Sequence, residues 1–304
     1  MKKLVLIDSN ALVHRAFHAL PPLTTRKGEL TNAVYGFFSA LIKVINELKP
    51  DYMAATFDLA APTFRHIEYD QYKAKRVKAP DELYVQIPRT KEVLKAFGIP
   101  ILEKEGFEAD DIIGTIAKKY TNKEIDILIV TGDLDTLQLV DDNIRIYTMK
   151  RGLSDIMIYG EKEVEERYGL KVSQMIDFKA LRGDPSDNIP GVKGIGEITA
   201  TALLKEFKTL ENLYKNIGKI KSKNVAEKLK INKEMAFFSK RLVTIRQNVP
   251  IKVDLKELDW QNHFDMDKVR ELFIELGFNT LLRRLPGGEA EKKPEIQSRQ
   301  ANLF

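Results

Sequence analysis

Three apolar runs, LVLID ending at Asp8, YMAATFD ending at Asp58 and IDILIVTGD ending at Asp133, constrain this chain more than any other feature. Each is short and apolar enough to be a strand buried on both faces, and segments of helical period such as AVYGFFSALIKVINEL lie between them. Strands that alternate with helices pair in parallel, because the intervening helix carries the chain back to the edge it started from. Open parallel sheets bind their ligands at the carboxyl ends of the strands. The pattern therefore predicts an α/β fold that aims aspartates at one edge.

Composition narrows what that edge can do. With no cysteine among 304 residues, disulfides, thiol nucleophiles and zinc-thiolate sites are excluded. A metal site would have to be built from oxygens or from the four histidines. The formal net charge of +5 leans towards a polyanionic partner. The opening MKKLVLID has the lysines of a signal peptide, but Asp8 ends its apolar run too early, and no stretch reaches the roughly 20 apolar residues of a membrane span. The expectation is a soluble, cytoplasmic protein.

From about residue 160 the strand signal gives way to helical periods in EKEVEERYGL, VSQMIDFKALRG, EITATALLKEF and NVAEKLKINKEMAFFSKRLVTI. We expect an α/β core over 1–170, a helical module over 171–285 and a flexible polar tail over 286–304.

Further acids accompany the strand ends. GFEADDIIGT places Glu108, Asp110 and Asp111 at the start of an apolar helix. Acids there are stabilised by the helix dipole, which is explanation enough for the stretch by itself. TGDLDTLQL sets Asp135 two residues after Asp133, an arrangement shared with a class of phosphatases, although Leu137 stands where that motif has Thr or Val. LRGDPSDNIPGVKGIGEITA carries Asp184 and Asp187, which would also suit an Asx-turn. It continues into Gly191, Lys193, Gly194 and Gly196, between two helical patterns rather than after a strand, so it is no dinucleotide fingerprint. A glycine hairpin between helices can present backbone N–H groups to a phosphate. Oxygen-only clusters of this density suit Mg²⁺ or Mn²⁺, and two such ions suit attack of water on a phosphodiester.

FDLAAPTFRHIEYDQYKAKR, GFEADDIIGTIAKKY, VTGDLDTLQL and GDPSDNIPGVKGIGEITA together resemble, in order and at matching spacing, the 5′-to-3′ exonuclease domain of bacterial DNA polymerase I, within the flap endonuclease superfamily. The resemblance runs from about residue 3 to residue 285. It implies an α/β, parallel-sheet, PIN-like nuclease core with a helical arch near residues 70–100, followed by an all-α helix-three-turn-helix module. It implies two groups of metal-binding carboxylates: Asp8, Asp58, Glu108, Asp110 and Asp111, then Asp133, Asp135, Asp184 and Asp187. It further implies that Lys73 and Arg76 neutralise the scissile phosphate, that Tyr72 stacks on a base, that Arg15 and Arg65 contact phosphates, and that the glycine hairpin grips duplex DNA with a bound K⁺. Leu134 departs from the family, which usually has a basic residue there.

The activity implied is metal-dependent cleavage of 5′ ends and 5′ flaps in primer removal and repair, by a monomer associated with the bacterial nucleoid. A DNA-binding module without catalysis is the alternative, and the intact carboxylate set weighs against it. Between Asn216 and Arg241 eight basic residues face two acidic ones, which fits phosphate contact beside such a hairpin. The final QANLF resembles the peptide by which bacterial replication proteins bind the sliding clamp, with Gln300 in a polar site and Leu303 and Phe304 in an apolar pocket.

Overall fold

A computed structural model describes residues 1–121, 124–149 and 155–285. The strands are β1 (Lys2–Asp8), β2 (Tyr52–Thr56), β3 (Ile101–Leu102), β4 (Ile125–Val130), β5 (Ile144–Met149) and β6 (Ile156–Tyr159). They form one sheet in the order β3-β2-β1-β4-β5-β6. All neighbours are parallel except β5 and β6, which pair antiparallel. The edge strand β6 is thus an addition to the parallel sheet that the sequence pattern predicts. Every residue of β2 and β4 is buried, as expected where helices cover both faces.

The strand order reverses at β1. The chain first builds outwards through β2 and β3, then returns to place β4 on the other side of β1. Asp8 pairs in register with Thr56, and Ile7 with both Ala55 and Val130. Asp58 and Asp133 follow these strand ends by only a few residues. Asp8, Asp58 and Asp133 therefore emerge together at the switch point, where an open sheet leaves a crevice.

Two apolar layers hold the sheet. On one face, Val5, Phe37, Phe38, Val93 and Phe97 pack with Trp260, Phe273 and Leu281. On the other, Leu6, Ile127, Ile112 and Ile116 form one continuous core with Phe178, Leu204, Leu213 and Leu229. Two features differ from the expected division at residue 170. The helical part shares its core with the sheet, and the stretch from Trp260 to Leu285 returns to the α/β layer rather than staying with the helical module.

The span expected as a helical arch is not helical between residues 70 and 80. That stretch has only turns and extended backbone, followed by a single helical turn, Asp81–Tyr84, and by the helix Ile87–Ala96, which buries Val93 and Leu94 in the core. The sequence explains this: KAKRVKAP offers one large apolar residue, the exposed Val77, among four basic ones, and the residue before Pro80 is biased away from helix. Among the described residues no helix is long and apolar enough to cross a membrane. The expected clamp-binding residues Gln300, Leu303 and Phe304 lie outside the described residues.

Candidate active site

Asp8, Asp58, Glu108, Asp110 and Asp133 line one cavity of about 1000 Å³ at the carboxyl edge of the sheet, together with Arg15, Lys73, Arg76 and His14. Asp8 caps the following helix, Ser9–Ala19, accepting from the Ala11 N–H at 3.0 Å, while its other oxygen accepts from Thr131 Oγ1 at 2.7 Å. Asp58 accepts from the Ala109 N–H at 2.7 Å, which docks the end of β2 against the helix Ala109–Tyr120. Both aspartates accept from backbone N–H groups at helix N-termini, and both line the cavity.

Loss of water and mutual repulsion set the charge state of this cleft. Desolvation, with repulsion from Asp58 and Asp133, pushes Asp8 up to about 7. Asp110 is raised well above the usual carboxylate range, first by desolvation and then by Asp8, Asp133, Asp135 and Asp58. Asp135 is pushed up to about 7 by desolvation and by Asp133, against the pull of Lys179. Glu108 moves the other way: burial raises it, but Lys73 and Arg65 outweigh burial and leave it below its ordinary value.

These shifts carry a sign for stability. A carboxyl raised on folding holds more protons in the native state than in the unfolded chain, so stability falls as pH rises from about 4 through 7. Asp184, held down at about 2 by Lys179 and Ser186 despite burial, contributes stability that is lost only below that window. The metal-free protein is therefore expected to melt lower at pH 8 than at pH 5.5. A calorimetric melting temperature that rises across that interval would contradict this assignment.

The second carboxylate group is held by cations. Lys179 Nζ lies between Asp135 and Asp184, a contact of 2.8 Å with Asp184 and a closer one with Asp135. Asp184 also accepts from the N–H and Oγ of Ser186 at 2.9 and 2.6 Å. Asp187 accepts from Tyr72 Oη at 2.9 Å and from Arg76 Nη2 at 3.0 Å. Among the described residues, no three acidic or histidine side chains form a ready-made metal cage. The carboxylates nonetheless fit a hard cation: they are oxygen donors, crowded, and destabilised by burial and by one another's charge.

Several expected roles change on the structure. Asp111 is fully buried and outside the cavity. Its oxygens accept from Arg65 at 2.8 and 2.9 Å, from the Glu108 N–H at 3.1 Å and from the Arg246 N–H at 2.8 Å, so it caps the helix and anchors Arg65 instead of lining the cleft. Arg65, expected at a phosphate, is only 2% exposed. Tyr72, expected to stack on a base, is 4% exposed, and its hydroxyl bridges Glu108 and Asp187 at 2.9 Å each. Gly191 is buried too: a Cβ there would lie 2.2 Å from Gly183 N, and its N–H donates to Ser239 Oγ at 3.1 Å. Packing at φ 62° is enough to require glycine there.

Other expected residues are exposed or reach the cleft. Lys73 Nζ contacts Glu108 at 2.7 Å, from a backbone held at φ 55° whose N–H donates to the Asp187 carbonyl. Arg15 and Arg76 line the cavity. Lys193, Gly194 and Gly196 lie exposed before the helix Glu197–Phe207. In the basic stretch, Lys240 is tied to Asp177 and Glu211, whereas Lys219, Lys221, Lys223, Lys233 and Arg241 are exposed. Leu134 packs against the core, which accommodates the departure from a basic residue. Sequence reasoning missed Lys179 and Thr131. Lys179 sits five residues before Asp184 on the last turn of the helix Met175–Arg182, a weak signal that only the fold makes specific.

A covered parallel sheet with an acidic crevice at its switch point, followed by a helical hairpin module, is the architecture of the PIN-like nucleases. Residues 3–169 match the profile of the 5′-3′ exonuclease N-terminal resolvase-like domain, and residues 170–265 that of the 5′-3′ exonuclease C-terminal SAM fold. The chain is 45% identical over 299 residues to DNA polymerase I of Caldicellulosiruptor bescii, covering 98% of this chain and 35% of that protein. It is 43% identical over 302 residues to DNA polymerase I of Bacillus subtilis, covering 99% and 34%. The chain thus spans about a third of the length of the curated relatives it matches.

Among solved structures, the bacteriophage T5 D15 flap endonuclease, in a complex with DNA and metal ions, superposes with TM-score 0.70 at 18% identity, over 91% of this chain and 98% of that one. The catalytic core of Rad2 with DNA substrate gives TM-score 0.56 at 19% identity, over 92% of each. At that identity the likeness concerns the fold. This chain belongs to the 5′-3′ exonuclease family.

Proposed function

We propose that the chain is a divalent-metal-dependent 5′-to-3′ exonuclease and 5′-flap endonuclease that hydrolyses DNA phosphodiesters in primer removal and repair. The observation that carries this reading is the cavity at the switch point, where mutually repelling carboxylates face Arg15, Lys73 and Arg76. Asp8, Asp58, Glu108, Asp110 and Asp133 would hold Mg²⁺ or Mn²⁺, with Asp135, Asp184 and Asp187 as a second group that must exchange its lysine and arginine partners for cations. Divalent ions held there would supply the Lewis acidity to ionise an attacking water and to offset charge on the leaving oxygen.

The chain's own groups do the rest. Lys73 and Arg76 place positive charge against the phosphate as its charge grows, and Arg15 adds to that field. Lys73 is pre-set for this by its Glu108 contact and its constrained backbone. The exposed Lys193, Gly194 and Gly196, with the basic stretch behind them, would grip duplex DNA, and a K⁺ at the hairpin belongs to the same proposal. The T5 flap endonuclease and Rad2 core, each in complex with DNA, support it by analogy of fold. The test is a labelled 5′-flap duplex incubated with Mg²⁺ or with chelator. Release of the flap only with Mg²⁺ is expected, and binding without cleavage would favour the non-catalytic alternative.

Beyond this core, QANLF is proposed as a sliding-clamp peptide on a monomeric protein associated with the nucleoid. Deleting residues 300–304 is expected to abolish clamp capture on a sensor surface while leaving flap cleavage intact; equal capture of both proteins would sink the idea.

A further inference from the structure

The guanidinium of Arg65 joins two parts of the molecule that the function needs in register. Nε donates to the Leu242 carbonyl at 2.8 Å and Nη2 to the Thr244 carbonyl at 3.1 Å, closing the C-terminal end of the helix Lys233–Val243. Nη1 donates to Glu108 Oε2 at 3.1 Å and Asp111 Oδ2 at 2.8 Å, and Nη2 to Asp111 Oδ1 at 2.9 Å. A guanidinium has five N–H donors, and these five contacts use them all, which leaves none for a nucleic-acid phosphate.

The same helix carries Ser239, wholly buried, whose Oγ accepts the Gly191 N–H of the glycine hairpin at 3.1 Å. A continuous run of hydrogen bonds therefore leads from the hairpin backbone through Ser239 and the helix end to Arg65, and from Arg65 to Glu108 in the cleft. The planar fork transmits displacement because it cannot bend, and the buried surroundings leave it no second arrangement to relax into. A lysine would keep the charge but not the fork, so it could not hold carbonyls on one side and carboxylates on the other.

We propose that Arg65 is a positioning residue that couples the seating of a DNA duplex on the hairpin to the placement of Glu108 in the cleft. The inference rests on the nuclease reading for its consequence, but its mechanical part can be measured without cleavage. Hydrogen exchange is followed by mass spectrometry on the wild type, Arg65→Lys and Ser239→Ala, with metal chelated, with and without a blunt DNA duplex. In the wild type the duplex is expected to slow exchange of the Asp111 and Ile112 amides by about tenfold. In both variants the duplex still binds within about threefold, but that slowing is lost.

With Mg²⁺ and flap substrate, the variants lose about tenfold in kcat with KM nearly unchanged, a split that general destabilisation would not give. Arg65→Lys retaining the wild-type slowing would overturn the coupling. Should Arg65→Lys fail to fold by circular dichroism, Ser239→Ala carries the same test, because it breaks the run at a neutral hydrogen bond. Slowing in a wild type that cleaves nothing would remove the nuclease reading and keep the coupling. Cleavage without slowing would remove the coupling alone.

Discussion

Asp110→Asn is expected to cleave a 5′-flap duplex about 10²–10³-fold more slowly than the wild type, while binding the duplex within about threefold. Asp110 lines the cavity and is repelled by Asp8, Asp58, Asp133 and Asp135 at once, so it is the carboxylate most dependent on a cation for its charge. An amide of the same size keeps the packing and removes an anionic ligand. Binding survives because the exposed hairpin and the cleft are built from different residues. Single-turnover cleavage with Mg²⁺, paired with fluorescence anisotropy in chelator, separates the two effects. Near-normal cleavage by the variant would remove Asp110 from the site.

Its neighbour should behave in the opposite way. Asp111→Ala is expected to cost about 3–5 kcal/mol of stability, because it leaves the buried Arg65 without its bidentate partner. The same change also removes the acceptor of the Glu108 and Arg246 N–H groups. Urea denaturation measures the loss, and a variant of unchanged stability with no activity would return Asp111 to the metal site. One residue apart on the same helix, these aspartates would then separate a proposed metal ligand from a structural charge.

That distinction marks how far the sequence could be read. The strand-end aspartates were legible because short continuous apolar runs mark strands buried on both faces, and a parallel sheet fixes which edge its ends share. The family motifs added Glu108, Asp110 and the hairpin. What sequence could not supply was which way each side chain points. Asp110 and Asp111 are adjacent letters, yet about 100° of helical rotation puts one in the cleft and one in the core. Arg65 and Tyr72, which the resemblance assigned to DNA, are buried because the fold brings them partners, the Leu242 and Thr244 carbonyls and Asp187, from more than a hundred residues away. The first part of the expected arch, residues 70–80, is not helical for a local reason: a helix needs an apolar stripe, and KAKRVKAP has none.

The central claim is that this cleft keeps its carboxylates in mutual repulsion because a divalent cation offsets it. Thermal unfolding of the wild type and Asp110→Asn at pH 7.5, each with chelator and with Mg²⁺, tests it most directly. In chelator the variant should melt higher than the wild type, since an amide neither has a charge to desolvate nor is repelled by Asp8, Asp133, Asp135 and Asp58. Mg²⁺ should raise the wild type by several degrees and the variant by much less. A wild type indifferent to Mg²⁺, with a variant that melts lower, would mean that the carboxylates stabilise the fold by themselves and that the cleft is not a metal site.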